Sequence, residues 1–138
     1  MNLVVVSGGF DPPHEGHFDL WDEGKRLGQL LIVLNSRKFL LDKKGYNVLT
    51  DEARYRIASK WGETIFAIDD DMTVCRTLEY IAKSHPLHYI IFANGGDRKC
   101  IEDVPEFKVC QEHDIDMRFG VGGGKRNSSS WMVDGKLT

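Results

Sequence analysis

Five short apolar runs, separated by stretches of helical spacing or turn residues, leave this chain few architectures. The first, LVVVS at 3–7, carries its apolar residues without alternation, as a parallel strand covered on both faces requires. From His17 to Leu27 the residues Phe18, Leu20, Trp21 and Leu27 recur at helical spacing, and Gly28 is the stop. QLLIVLNS (29–36) reads as the second strand, and the polar, basic SRKFLLDKKGYNV (36–48) as a loop. Thr50 is placed to cap a helix running toward Trp61, with Asp51 and Glu52 in its first turn where the helix dipole favours acids. TIFAID (64–69), HYIIFAN (88–94) and IDMRFGV (115–121) read as strands three to five. Helices are expected from Met72 to Ser84, closed by Pro86, and from Pro105 to about His113. Strand–helix alternation at this spacing predicts one doubly wound α/β domain over 1–138, a five-stranded parallel sheet with helices on both faces.

A chain of 138 residues with 41% hydrophobic and 28% charged residues has the composition of a soluble globular domain. Its formal charge of −3 argues against a nucleic-acid or anionic-membrane partner, which a basic excess would favour. No apolar run approaches the ~20 residues that span a bilayer, and MNLVVVSGG reads as a strand rather than a signal peptide. Cys75, Cys100 and Cys110 show no paired spacing and read as small buried hydrophobes, in keeping with a reducing cytoplasm.

In doubly wound sheets, ligands bind outside the carboxyl ends of the strands, where strand order reverses. With an order of 3-2-1-4-5, strands one and four are neighbours there, and their loops SGGFDPPHEGH (7–17) and NGGDR (94–98) share a crevice. Gly8 and Gly9 allow close backbone approach to a ligand, and Pro12 and Pro13 stiffen the turn. Gly16 and His17 then open a helix whose first N–H groups favour an anion, and His14 and His17 can donate into the same region. Packing and metal binding are the rival readings of this histidine pair. Zinc needs a third protein ligand that is not evident, and His14-Glu15 does not make an H-E-x-x-H motif because His17 comes one residue too soon. Phosphate is the ligand that this string fits best, and no metal ligand is assigned. Asp69, Asp70 and Asp71 read as an acidic loop capping the following helix.

The string GGFDPPHEGH after strand one resembles the signature of the HxGH nucleotidyltransferase superfamily, in its cytidylyltransferase-like branch. Arg54, the Gly95-Gly96-Asp97 run and the serines at 127–130 (NSSS) are similar to its further motifs, in the same order, so the resemblance covers nearly the whole chain. Asn127 departs from it, standing where an apolar residue usually precedes the serines, and Lys125 and Arg126 stand in for a later arginine. The short format resembles glycerol-3-phosphate cytidylyltransferases and the adenylyltransferase half of ADP-heptose synthases. The DPP doublet is similar to mononucleotide and pantetheine-phosphate adenylyltransferases.

The resemblance implies a Rossmann-like fold and transfer of a nucleoside monophosphate from an NTP to a phosphorylated acceptor, a phospho-alcohol or sugar phosphate, with pyrophosphate released. CTP is the implied donor and ATP the alternative; a non-catalytic nucleotide sensor is the other class. His14 and His17 would donate to the α-phosphate, with Lys43 or Lys44 clamping the reacting phosphates. Ser7, Gly8, Gly9, Phe10, Asp11 and Gly16 would line the nucleotide on the first loop. Asn94, Gly95, Gly96, Asp97 and Arg98 would line it on the second, and Lys125, Ser128, Ser129 and Ser130 near the C-terminus. Arg54 would either join them or pair with Asp51 or Glu52. Mg²⁺ is expected to arrive on the NTP without a dedicated protein ligand, and a homodimer is expected, with no nucleic-acid or membrane partner.

Overall fold

The computed structural model describes residues 1–96 and 104–122. Its elements are β1 (Asn2–Gly8), α1 (Glu15–Leu27), β2 (Gln29–Leu34), α2 (Arg37–Lys44), α3 (Asp51–Ser59), β3 (Glu63–Phe66), α4 (Cys75–Ser84), β4 (Tyr89–Ala93), α5 (Phe107–Glu112) and β5 (Asp116–Arg118). The sheet runs β3-β2-β1-β4-β5 and every neighbouring pair is parallel. This is the doubly wound, Rossmann-like α/β order expected from the alternation of elements.

The unbroken apolar runs find their reason in two cores. Leu3 and Val5 of β1, with Leu31 and Val33 of β2, pack under Leu78 and Ile81 of α4 and Val109 and Cys110 of α5. Val4 and Val6, with Ile32 and Leu34, face Leu20 and Trp21 of α1 and Ala58 of α3. A central strand with both faces buried has no position where a polar side chain is tolerated. Burial pushes the Cys110 thiol up to about 12, so it behaves as a small hydrophobe, whereas Cys75 is only half-buried. Cys100 lies outside the described residues.

One segment departs from the sequence reading. Residues 37–44 are a helix, not a loop. Ser36 caps it by accepting from the Phe39 N–H, and Gly45 closes it in the left-handed region at φ 82°. Lys43 and Lys44 occupy the last turn, where the negative end of the helix dipole favours cations. Both caps were visible in the sequence, but Leu40 is the only fully buried residue of α2, so the apolar stripe that marks a helix was missing. Other boundaries moved by a few residues. At α4 the helix begins at Cys75 rather than Met72, because Asp71 draws the Thr73 N–H and hydroxyl into a turn. The carboxylate of Asp69 accepts from the N–H groups of Arg76 and Thr77, an acidic cap on that helix.

Candidate active site

β1 ends between β2 and β4, and the loop that leaves it is held by the chain on both sides. The Gly8 carbonyl accepts from the Asn35 N–H at 2.9 Å, and the Gly9 carbonyl accepts from Arg54 at 3.2 Å. The two glycines are needed by the protein itself. A Cβ on Gly9 would stand 2.6 Å from the Leu40 side chain, and one on Gly8 would stand 2.9 Å from the Phe10 ring. Phe10 takes a positive φ of 49° and buries its ring edge-on to His17 and Trp21. Only its backbone is left for a ligand. The Asp11–Pro12 peptide is cis.

The spacing of the two histidines is the spacing of a capping box. His14 is the N-cap of α1, and its Nδ1 accepts from the Gly16 N–H at 3.1 Å. Three residues on, His17 Nδ1 accepts from the His14 N–H, also at 3.1 Å. Each ring therefore carries its hydrogen on Nε2 when neutral. The rings stack with centroids 3.6 Å apart. Burial, then the neighbouring His14, pushes His17 down to about 4, and burial lowers His14 as well. At neutral pH the pair is two uncharged N–H donors rather than imidazolium cations.

This corrects one sequence expectation. The Gly16 and His17 amides at the start of α1 are not waiting for an anion: the first is taken by His14 Nδ1 and the second by the His14 carbonyl at 2.9 Å.

The capping box also predicts a pH dependence. A histidine whose folded value lies below its ordinary value takes up a proton first in the unfolded chain, so its contribution is complete above about pH 6.5. That contribution is lost as pH falls toward 4, and for His17 it reaches at most about 3 kcal/mol. Urea midpoints followed from pH 7 to 4 should fall, and the fall should be shallower in His17→Gln. Equal slopes in the two proteins would place the titrating groups elsewhere.

Asp11 and Arg54 brace the loop. Burial raises the Asp11 carboxyl, but the N–H groups of Leu49 and Val48 and the Lys44 ammonium outweigh it and hold it below the usual range. Arg54 is 1% exposed, and its guanidinium donates to the carbonyls of Gly9 and Asn35 and pairs with Asp51 at 2.8 Å. Asp11 was expected on the nucleotide, and Arg54 either there or paired with Asp51 or Glu52; the Asp51 pair is present, and among the described residues the Arg54 Nε meets no partner. Lys44 is tied to Asp11 at 3.3 Å and lies over the Tyr46 ring, and Lys43 lies over the Phe39 ring at 5.7 Å.

Two cavities open on opposite sides of β1. The larger, about 640 Å³, runs from His14 and His17 along Asn35 to Phe39, Lys43 and Tyr46. The smaller, about 200 Å³, is lined by Ser7, Asn94, Gly95, Gly96, Glu106 and Phe119. Asn94 shapes it by donating from Nδ2 to the carbonyls of Phe92 and Arg118. The structure thus gathers Ser7, His14, His17, Lys43, Lys44, Asn94, Gly95 and Gly96 around the end of β1. Asp97, Arg98, Lys125, Ser128, Ser129 and Ser130 lie outside the described residues. Among the described residues, no group of three or more His, Cys, Asp or Glu side chains is disposed to hold a metal ion. No described helix is long and apolar enough to cross a membrane. Sequence reasoning missed Asn35, Phe39 and Tyr46. The signal for Asn35 was present, as a polar residue ending the apolar run LLIVL.

Residues 5–116 match the model of the family described as cytidylyltransferase-like. The chain is 37% identical over 59 residues to the FAD synthase of Archaeoglobus profundus, and 35% identical over 57 residues to that of Ferroglobus placidus. These alignments cover 43% and 41% of this chain, and 38% of each relative's length. The crystal structure of the lipopolysaccharide core biosynthesis protein from Thermoplasma volcanium superimposes with a TM-score of 0.63. That superposition covers 86% of this chain and 93% of the other at 24% identity, a likeness of fold.

Proposed function

We propose, from the premise that this chain belongs to the cytidylyltransferase-like family of nucleotidyltransferases, that it moves a nucleoside monophosphate from an NTP to a phosphorylated small molecule. The observation that carries this reading is the pair of fixed imidazoles lining the larger cavity at the end of β1. The nucleotide takes the smaller cavity, between the exits of β1 and β4, and the acceptor the larger, along α2. The α-phosphate then lies at the histidines.

In the reaction, a phosphate oxygen of the acceptor attacks the α-phosphorus and forms the new P–O bond. The bond from the α-phosphorus to the α,β-bridging oxygen breaks in line, and pyrophosphate leaves with the electron pair. The attacking phosphate is already an anion near neutral pH, so the site needs positioning and charge stabilisation more than a strong base. Neutral Nε2–H donors suit this task, since they meet growing negative charge without themselves losing a proton. Lys43 adds a cation on the acceptor side. Mg²⁺ enters with the triphosphate, as it commonly keeps waters and few protein ligands. CTP is the first candidate donor by motif; ATP is favoured by the FAD synthase relatives, FAD being an adenylyl compound. A homodimer completes the proposal and is checked by sedimentation.

Pyrophosphate release, measured with Mg²⁺ across four NTPs and a panel of phosphomonoesters, tests this function. Release should require both an acceptor and one preferred NTP, stop on chelation and return with added Mg²⁺. Release that ignores the acceptor would make the protein a hydrolase. Tight nucleotide binding with no release across the panel would make it a sensor.

A further inference from the structure

The two cavities differ in charge. Lys43 and Lys44 line the larger one, whereas the described residues lining the smaller include no cation and a single charged group, the half-buried Glu106. A carboxylate repels a triphosphate and accepts from N–H or O–H, so this end suits an uncharged part of a nucleotide that donates. At about 200 Å³ the cavity is below the range that encloses a drug-sized ligand; it takes a fragment such as a base, and Phe119 makes part of its wall apolar. Glu106 is held from two sides. Its Oε2 accepts from the Val74 N–H at the start of α4 at 3.0 Å, and its carbonyl accepts from the Cys110 N–H of α5, also at 3.0 Å. Beside it, the Pro105 carbonyl accepts from the Cys75 thiol at 3.4 Å. Among the described residues no donor meets Oε1, and it is not one of the enclosed side-chain atoms, so it retains open surface.

We propose that Glu106 selects the base of the donor nucleotide: Oε1 accepts from the exocyclic amino group of cytosine or adenine, and a base with a keto oxygen at that position is refused. This rests on the smaller cavity being the nucleotide side of the reaction proposed above. An ionised carboxylate can only accept; an amino group donates to it, and a keto oxygen cannot. A site built to bond a donor rejects the analogue lacking it far more strongly than an apolar pocket distinguishes shapes. One carboxylate then has two tasks, Oε2 capping α4 and Oε1 reading the base. A single substitution separates them. In Glu106→Gln only the amide oxygen can accept from the Val74 N–H, so the NH₂ group takes the place of Oε1. The cap survives, while the group offered to the base changes from acceptor to donor.

The test measures binding, which needs no turnover. The Mg²⁺ complexes of CTP, UTP, ATP and ITP are titrated into the full chain by calorimetry, in wild type, Glu106→Gln and Glu106→Ala. Within each pair, CTP with UTP and ATP with ITP, an amino group is exchanged for a keto oxygen. In the pair that holds the preferred nucleotide, wild type should bind the amino member about 10- to 100-fold more tightly than the keto member. In Glu106→Gln that ratio should fall below about threefold or reverse, and the keto member should bind more tightly than it binds wild type, a gain that a loosened fold cannot produce. Glu106→Gln should melt close to wild type, and Glu106→Ala should lose the preference without the gain. A carboxylate that only caps α4 would leave the base preference unchanged in Glu106→Gln. That result, equal binding of both members by wild type, or binding of none overturns the proposal. Acceptor-dependent pyrophosphate release with a base preference indifferent to Glu106→Gln would sink the role of Glu106 alone. A preference that follows Glu106, with no release across the acceptor panel, would sink the reaction and leave the base site.

Discussion

Replacing His17 by alanine lowers kcat/KM for nucleotidyl transfer by about 10²- to 10³-fold, the loss found when one preorganised donor to a developing oxyanion is removed. Two functions of the residue must be separated. His17 Nδ1 closes the capping box on His14, and its ring packs edge-on against Phe10, so alanine also loosens the start of α1. The cap alone is worth about 1 kcal/mol. Glutamine is the residue normally found at this position of a capping box, and its side-chain oxygen can take the His14 N–H again. His17→Gln should therefore melt close to wild type while staying at least tenfold slower, because the Nε2–H donor at the histidine's position is gone. The comparison of melting temperature with kcat/KM for both variants checks this. If His17→Gln keeps full turnover, His17 acts through the cap and the assignment of its donor is wrong.

Arg54→Met has the second large effect, and it falls on stability. The guanidinium satisfies two carbonyls at once, at Gly9 and at Asn35, and it is 1% exposed. Methionine fills the space of the stem but leaves both oxygens unpaired, at about 1–3 kcal/mol each. The pair with Asp51 adds little, because that carboxylate is half exposed. A loss of about 3 kcal/mol, or roughly 10 °C in melting temperature, is expected for a domain of this size. Arg54→Lys should recover less than half, since one ammonium cannot reproduce the fork that spans two carbonyls and a carboxylate. Thermal unfolding of the three proteins measures it. A variant that melts within 2 °C of wild type but no longer binds nucleotide would return Arg54 to the ligand, as its place among the family-like motifs first implied.

What could be seen in advance divides along a physical line. β1, β2 and β4 were legible because a parallel strand buried on both faces must be apolar at every position, a condition written into three to six consecutive residues. α2 was not, since a short helix resting on the single buried residue Leu40 leaves no periodic stripe and is marked only by its caps. The histidine pair was legible as a motif, but not its state: that Nδ1 of each ring is consumed by α1 and Nε2 bears the hydrogen follows from geometry around the cap.

By itself the sequence determined the strand–helix alternation, the order of the sheet, and the gathering of chemistry at the ends of β1 and β4, all consequences of local periodicity and of the rules by which parallel strands connect. Tertiary structure alone decided which polar groups remain available there. Arg54 and Asp11 are held by Gly9, Asn35, Val48 and Leu49, partners that are near them only after folding. A residue's type tells what bonds it can make; only the packed chain tells which of them are already made.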